Sequence, residues 1–473
     1  MSTKTMTRRG FFDRMSDGVY GAALASLFLQ DRARADATYD LRPKKPHFEP
    51  KAKAVIHLFM NGGPSQVDLF DPKPALKKFA GSKPGRDIVN QIEFADQIGV
   101  MMPSPFEFRR YGKCGMEMTE LMPHLGSVCD EVAFIRSMYG EHFNHEPSIY
   151  LMQSGRTLPG RPALGAWVTY GLGSENQNLP AYVVLDDPKA LPVNGVQNWQ
   201  SGWLPPVYQG TRFRSEGLPL LNLKPAEELP PALVEAQRDL LRALDDGHRA
   251  QRPGFGELDA RIASFELAAR MQMAATDALD LSQETEATRE AYGMNEEPSQ
   301  SYGRRCLMAR RLVERGVRFV QIFIERQIWD NHSDLERDLK YCCAKTDKPV
   351  AALIRDLRQR GLLDSTLILW GGEFGRMPVS QIRQGAGGAG RDHGPAGFTV
   401  WMAGGGVKGG VVHGATDEIG HRAVENRVSV HDFHATMLHL LGMDFRKLAF
   451  ERHSLQERLT DQYPARVVKE ILV

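Results

Sequence analysis

Four short stretches of the chain carry side chains able to hold a metal ion. Asn61 and Asp68 enclose a Gly-Gly-Pro-Ser segment; Asn144 and His145 stand just before Ser148. Asp330 and His332 flank Asn331, and Glu373 is followed across a Gly-rich loop by Asp392 and His393. Oxygen donors and imidazoles in this mixture suit zinc, manganese, magnesium or calcium rather than soft metals. Six or more such groups would serve two ions about 3.5–4 Å apart, an arrangement that clamps an in-line displacement at phosphorus or a similar centre.

These groups need a frame that brings them together. The run Thr366–Trp370 just ahead of Glu373 is short, apolar and without helical period, and predicts a buried parallel strand. Similar runs at Ala54–Met60, Val132–Arg136, Ala181–Leu185, Val317–Ile324 and Phe398–Ala403 predict further core strands. Helical stretches are expected at Thr119–Val128, Leu164–Tyr170, Arg304–Arg315, Pro349–Arg360 and His431–Leu441. Alternating strands and helices of this kind predict an α/β fold: a doubly wound, mostly parallel sheet with helices on both faces. In such sheets ligands gather beyond the carboxyl ends of the strands, where all four polar stretches fall.

Residues 190–228, rich in Pro, Gly and aromatic side chains, read as an excursion over the sheet. Residues 229–315 read as a helical insertion or cap. There Leu233, Leu240 and Leu244 share one helix face, as do Leu258, Ile262, Phe265 and Ala269, and both stripes are expected to pack.

Composition excludes several classes of function. The 473 residues are 42% hydrophobic and 25% charged, as in globular proteins. Lys+Arg number 59 against Asp+Glu 58, so there is no basic surplus to bind nucleic acid. Five cysteines without a C-x-x-C pattern argue against a disulfide framework and a Cys-based zinc site, and predict buried free thiols. Residues 1–35 read as a twin-arginine signal peptide: Arg8-Arg9-Gly10-Phe11-Phe12, an apolar segment Val19–Leu29, then Ala33-Arg34-Ala35. Export to the periplasm, or otherwise out of the cytoplasm, is expected, with no integral membrane segment once the signal is removed.

The motifs FMNGGPSQVDLFDPKP (59–74), NHEPS (144–148), WDNH (329–332), LWGGEFGRMP (369–378), GRDHGP (390–395) and MAGGGVKGGVVHGATDE (402–418) resemble the bacterial family called domain of unknown function 1501. That family is similar to the sulfatase and alkaline-phosphatase superfamily. The resemblance implies one sulfatase-like α/β domain over 36–473 around a two-metal site. It implies Asp330 and His332 as the Asp/His pair on one ion and His393 as the later His ligand. Asn61 or Asp68 would replace the acid after the first strand, and Glu373-Phe374 stands where the superfamily has Asp-His. Asn144 and His145 resemble the segment around the nucleophile, but Glu141, His142 and Phe143 before them carry no hydroxyl.

Ser148 and Ser65 are the candidate nucleophiles. A helix N-terminus would stabilise the alkoxide of Ser148 and a bound oxyanion. A metal-activated water is the alternative. Arg376 and Arg391 are expected to steady an anionic group, with Asn144 and His145 beside it. The expected function is an exported metal-dependent hydrolase of phosphate or sulfate esters, its partner an anionic small molecule or glycan ester. The alternative is a non-catalytic relative that binds an anionic glycan or a cell-surface partner.

Overall fold

The computed structural model describes residues 40–90, 97–216, 230–252, 256–381 and 387–473. The expected signal peptide lies outside the described residues. In chain order the strands that frame the site are β1 (Ala54–Phe59), β2 (Ile98–Met101), β3 (Val132–Tyr139), β4 (Tyr182–Leu185), β5 (Thr211–Phe213) and β6 (Phe319–Phe323). They continue with β7 (Thr366–Gly371), β8 (Gly375–Gln381), β9 (Gly390–Gly394), β10 (Phe398–Ala403), β11 (Val411–His413) and β12 (Val428–Ser429). The longer helices are α1 (His145–Ser154), α2 (Leu164–Leu172), α3 (Pro231–Ala250), α4 (Gly256–Leu279), α5 (Gln300–Glu314), α6 (Leu335–Gln359) and α7 (Val430–Leu440).

A nine-stranded sheet runs in the order β11-β3-β10-β7-β1-β6-β4-β5, with β12 also paired to β3. Its pairings are parallel except those of β10, which is antiparallel to both β3 and β7. The central strands β1, β6 and β7 are buried along their whole length. That explains their uninterrupted apolar sequence, because helices cover both faces. Ile56 and Leu58 of β1 join a core with Tyr302, Leu307 and Leu312 of α5 and with Leu339, Val350 and Leu353 of α6. On the other face Gln321 of β6 donates to Nδ1 of His57 (3.2 Å) and to Gln153 of α1 (2.8 Å). His434 of α7 donates to the carbonyl of Met152 in α1. The chain thus has the doubly wound α/β architecture expected from its sequence.

Three elements differ from expectation. Helix α6 begins at Leu335 rather than Pro349, which lies inside it. Residues 119–128 hold the end of a strand, Met116–Thr119, and only a single turn of helix, Pro123–Gly126. Residues 375–394, read as a loop, contain β8 and β9; β8 pairs with β9 on one side and with β2 on the other in an antiparallel three-stranded sheet. Both strands are wholly buried; β9 is polar, and β8 sets only Met377 and Val379 among glycine, proline and polar residues.

The helical stretch divides. A second compact unit contains residues 230–252 and 256–266, and from Leu267 onward the chain belongs to the main unit. There Leu267, Met271 and Ala275 of α4 join the main core. In the second unit Leu233, Leu240 and Leu244 are exposed, so the stripe expected to pack does not. In the other stripe Ile262 is buried and Phe265 exposed.

Candidate metal centre

Register sets the site. Phe59 of β1 lies opposite both Phe323 of β6 and Gly371 of β7, so the three strands end level. The segments that leave them, Asn61-Gly62-Gly63, residues 324–332 and residues 372–376, emerge at one edge. Gly62 and Gly63 have φ of +108° and +76°, which favours glycine. A Cβ on Gly62 would lie 2.6 Å from the backbone nitrogen of Asp330, and one on Gly63 would lie 2.6 Å from the Phe374 ring. The glycine pair therefore lets the three segments close on one another.

Strand β9 brings in the last ligand. His393 is paired with Arg376 of β8. On its other side the Arg391 amide donates to the carbonyl of Asn331 at 2.9 Å, which sets His332 beside His393. His145 comes from the first turn of α1, where Asn144 is the N-cap and its Oδ1 accepts from the Glu146 amide at 3.3 Å.

The outcome is a tight convergence. Asp330 Oδ1 faces Nε2 of His332 at 2.8 Å, of His393 at 3.2 Å and of His145 at 3.3 Å. One ligand atom from each of these four residues falls within 4.8 Å of all the others. The imidazoles are oriented from behind: His145 Nδ1 meets Glu373 Oε1 at 2.6 Å, and His332 Nδ1 meets the side chain of Gln381. Glu373 is itself fixed by the amide of Gly62, 2.9 Å away. Groups that hold the second ring nitrogen fix tautomer and orientation at metal-binding histidines. The side chains of His332 and His393 are buried, whereas that of Asp330 is 22% exposed, which leaves the cluster one open side.

Charge at the cluster is set by proximity. Burial opposes ionisation of Asp330, but Arg376 and the three imidazoles outweigh it and hold the carboxyl far below the usual carboxylate range. Burial also works against a charged His145, yet hydrogen bonds to Asp330 and Glu373 raise it to about 9. His332 is shifted the other way, chiefly by burial, with Arg376 adding to the effect against the pull of Asp330. His145 is thus held in its charged form more readily than His332.

The remaining expected site residues stand as follows. Asn61 donates to the carbonyls of Ile324 (2.7 Å) and Arg326 (2.9 Å). Asp68 forms a bidentate ion pair with Arg391, at 2.7 and 3.0 Å, both side chains fully buried. The Ser65 hydroxyl donates to Asp68, and that of Ser148 donates to the carbonyl of His142 at 2.7 Å. Asp392 accepts from the amide of His393 at 2.8 Å. Arg376 donates to the carbonyls of Gly62, Gly63, Trp329 and Arg391, and to Asp330. The structure therefore brings together Asp330, His332, His393 and His145, with Glu373 behind them, and does not add Asn61 or Asp68 to that cluster. Gln381 was not singled out from sequence; a lone Gln in a polar stretch carries no signal.

Residues 52–472 match the model of the family described as "Protein of unknown function (DUF1501)". The chain belongs to this family. The DUF1501 match takes in every strand of the main sheet and all the residues of the cluster. No curated protein matches the chain.

Among solved structures, the chain is similar to Ps i-CgsB, at 13% identity over 68% of this chain and 66% of that one, just under two thirds of it, with a TM-score of 0.32. It is also similar to the PsFucS1 sulfatase from Pseudoalteromonas sp., at 12% identity over 89% and 71% of the two chains, TM-score 0.33. A third is the phosphonate monoester hydrolase SpPMH from Silicibacter pomeroyi, at 10% identity over 89% and 76%, TM-score 0.35.

Proposed function

We propose that this DUF1501 protein is an exported metal-dependent hydrolase of phosphate or sulfate esters. It would hold an ion through His145, Asp330, His332 and His393. The observation that carries the reading is the meeting of three imidazole nitrogens on one carboxylate oxygen, with partners behind two of the rings. Three nitrogens and one oxygen favour zinc over magnesium or calcium, which prefer all-oxygen sets. When bound, such an ion polarises an ester oxygen and lowers the pKa of a bound water. The chain's own part is to hold the rings in place through Glu373 and Gln381, and to leave the Asp330 side open to a substrate. The ester class comes from the motif resemblance, and export from the twin-arginine pattern of residues 1–35.

Metal analysis of the purified mature chain tests the first half. Roughly one zinc per chain is expected after folding with metal, and less than about a tenth of an ion would sink the reading. Replacing Asp330 by Ala should then remove both the ion and any turnover of aryl phosphates and aryl sulfates.

A second reading keeps the ion but not the chemistry: a protein that binds an anionic glycan. It is favoured by the hydroxyls of Ser148 and Ser65, both already donated within the protein. Saturable glycan binding by the metal-loaded chain, without turnover across both ester classes, would select it.

A further inference from the structure

Away from the metal centre, two cysteines face each other across a turn. Cys114 lies in the turn 112–115 of the antiparallel hairpin Phe108–Tyr111/Met116–Thr119. Cys129 opens the short 3₁₀ turn that leads into β3. Their sulfurs are 3.7 Å apart. Cys129 is buried and Cys114 is exposed, the one cysteine that departs from the expected burial. We propose that Cys114 and Cys129 form a reversible disulfide that clamps this hairpin turn to the start of β3.

The backbone holds the pair in position without the bond. Asp130, next to Cys129, accepts the amide of Lys113 at 2.9 Å and that of Cys114 at 2.8 Å, one on each carboxylate oxygen. The turn also lies directly on the buried sulfur: a Cβ on Gly112, whose φ is +64°, would be 2.6 Å from Cys129 Sγ. A disulfide needs the sulfurs about 2.0 Å apart. The Cys114 side chain is at the surface, so rotation about its Cα–Cβ bond can supply the approach while Cys129 stays in place.

The same pair with Asp130 could be read as a metal site, since one ligand atom from each lies within 4.8 Å of the others. That set is one ligand short of the four that structural zinc takes. Both oxygens of Asp130 are moreover already held by backbone amides. The disulfide uses only the two sulfurs.

The oxidant is an external disulfide of the small-thiol class. The Cys114 thiolate attacks one of its sulfurs and expels the first thiolate, giving a mixed disulfide. Cys129 then loses its proton to solvent and attacks Cys114 Sγ, expelling the second thiolate. Two protein thiols are oxidised and one external disulfide is reduced to two thiols. Burial, with Cys114 beside it, pushes the Cys129 thiol up to about 12, so ring closure is the slow step and accelerates with pH. The proposed export route would place the pair in an oxidising compartment.

The test uses the full chain equilibrated with oxidised glutathione or with dithiothreitol. Alkylation of the denatured protein should count five free thiols after dithiothreitol and three after glutathione disulfide, because two of the five are joined. Peptide mapping should find 114 linked to 129, and the oxidised form should melt a few degrees higher. In Cys114→Ser, with its small change at an exposed position, the linked peptide and the melting shift should both vanish. Five alkylatable thiols after oxidation, or a linkage through other cysteines, would overturn the proposal. So would thiols that are masked until a chelator, rather than a reductant, releases them.

Discussion

Arg376 Nη2 lies 2.6 Å from Asp330 Oδ1, the oxygen on which the three imidazoles also converge. A buried guanidinium thus touches the ligand set without occupying its open side. Its other donors go to four backbone carbonyls, those of Gly62, Gly63, Trp329 and Arg391. Those of Gly62, Gly63 and Trp329 belong to two of the segments that meet at the strand ends and that of Arg391 to β9, so Arg376, itself on the third segment, ties the site together as well as charging it. Arg376 faces the carboxylate of Asp330, while His145 lies between that carboxylate and the one of Glu373.

Replacing Arg376 by Lys should therefore destabilise the fold. A single ammonium has three donors and cannot reach four carbonyls spread around a planar fork. Leaving two or more buried carbonyls unpaired costs about 3–5 kcal/mol in total. Urea unfolding of the metal-free protein should show that loss; a change below about 1 kcal/mol would mean that Arg376 is not the tie.

Metal affinity should rise with pH up to the titration of His145. Its pKa is raised to about 9, so below that pH the free site holds a proton that must leave before the ring can ligate. Affinity should climb about tenfold per pH unit between pH 6 and 8 and level off above about 9. Zinc titration by calorimetry in buffers of different ionisation enthalpy would count the proton released. In Glu373→Gln the carboxylate that helps hold that proton is gone, so the plateau should begin at lower pH.

How much of this was legible from sequence follows from how each element is buried. Ala54–Phe59 and Thr366–Gly371 could be read because a strand covered on both faces leaves an uninterrupted apolar run. β8 and β9 could not, because apart from Met377 and Val379 their burial rests on ion pairs and buried hydrogen bonds by Arg376, Arg391 and Gln381. Pro349 hid the first half of α6, since a proline in mid-helix reads as a start. Asp330, His332 and His393 were visible as ligand types at strand ends. That His145 reaches the same oxygen, while Asp68 turns to Arg391, depends on distances that spacing along the chain does not encode.

The Asp68–Arg391 pair should behave as a buried strut. Both side chains are fully buried and meet through two hydrogen bonds, and Arg391 also donates to the carbonyls of Met102 and Met377. Removing one partner leaves an uncompensated charge, which costs about 3–5 kcal/mol. Arg391→Met and Asp68→Asn should each lower the unfolding free energy by that order. The double variant should lose clearly less than the sum, because the second change removes the charge the first stranded. Additive losses in the urea midpoints would show that the pair is not coupled.

Acid should weaken the protein through two buried histidines, His434 of α7 and His57 of β1. His434 is wholly buried, and burial lowers its pKa from 6.5 to about 3; His57 on β1 is shifted to about 3 for the same reason. A histidine whose folded pKa lies below its unfolded one contributes stability that is complete above pH 6.5. That contribution is lost as the pH falls from 6.5 towards 3, because the unfolded chain takes up the proton first. Each ring should contribute a slope of about 1.4 kcal/mol per pH unit across that window. His434 donates from Nε2 to the carbonyl of Met152 at 2.9 Å, a bond that a glutamine amide can also make. His434→Gln should therefore fold at pH 7 and lose stability more gently on acidification. Between pH 6.5 and 5 the wild type should lose about 2 kcal/mol more than the variant, measured by urea unfolding. Parallel curves would show that the ring takes up no proton on unfolding in this range.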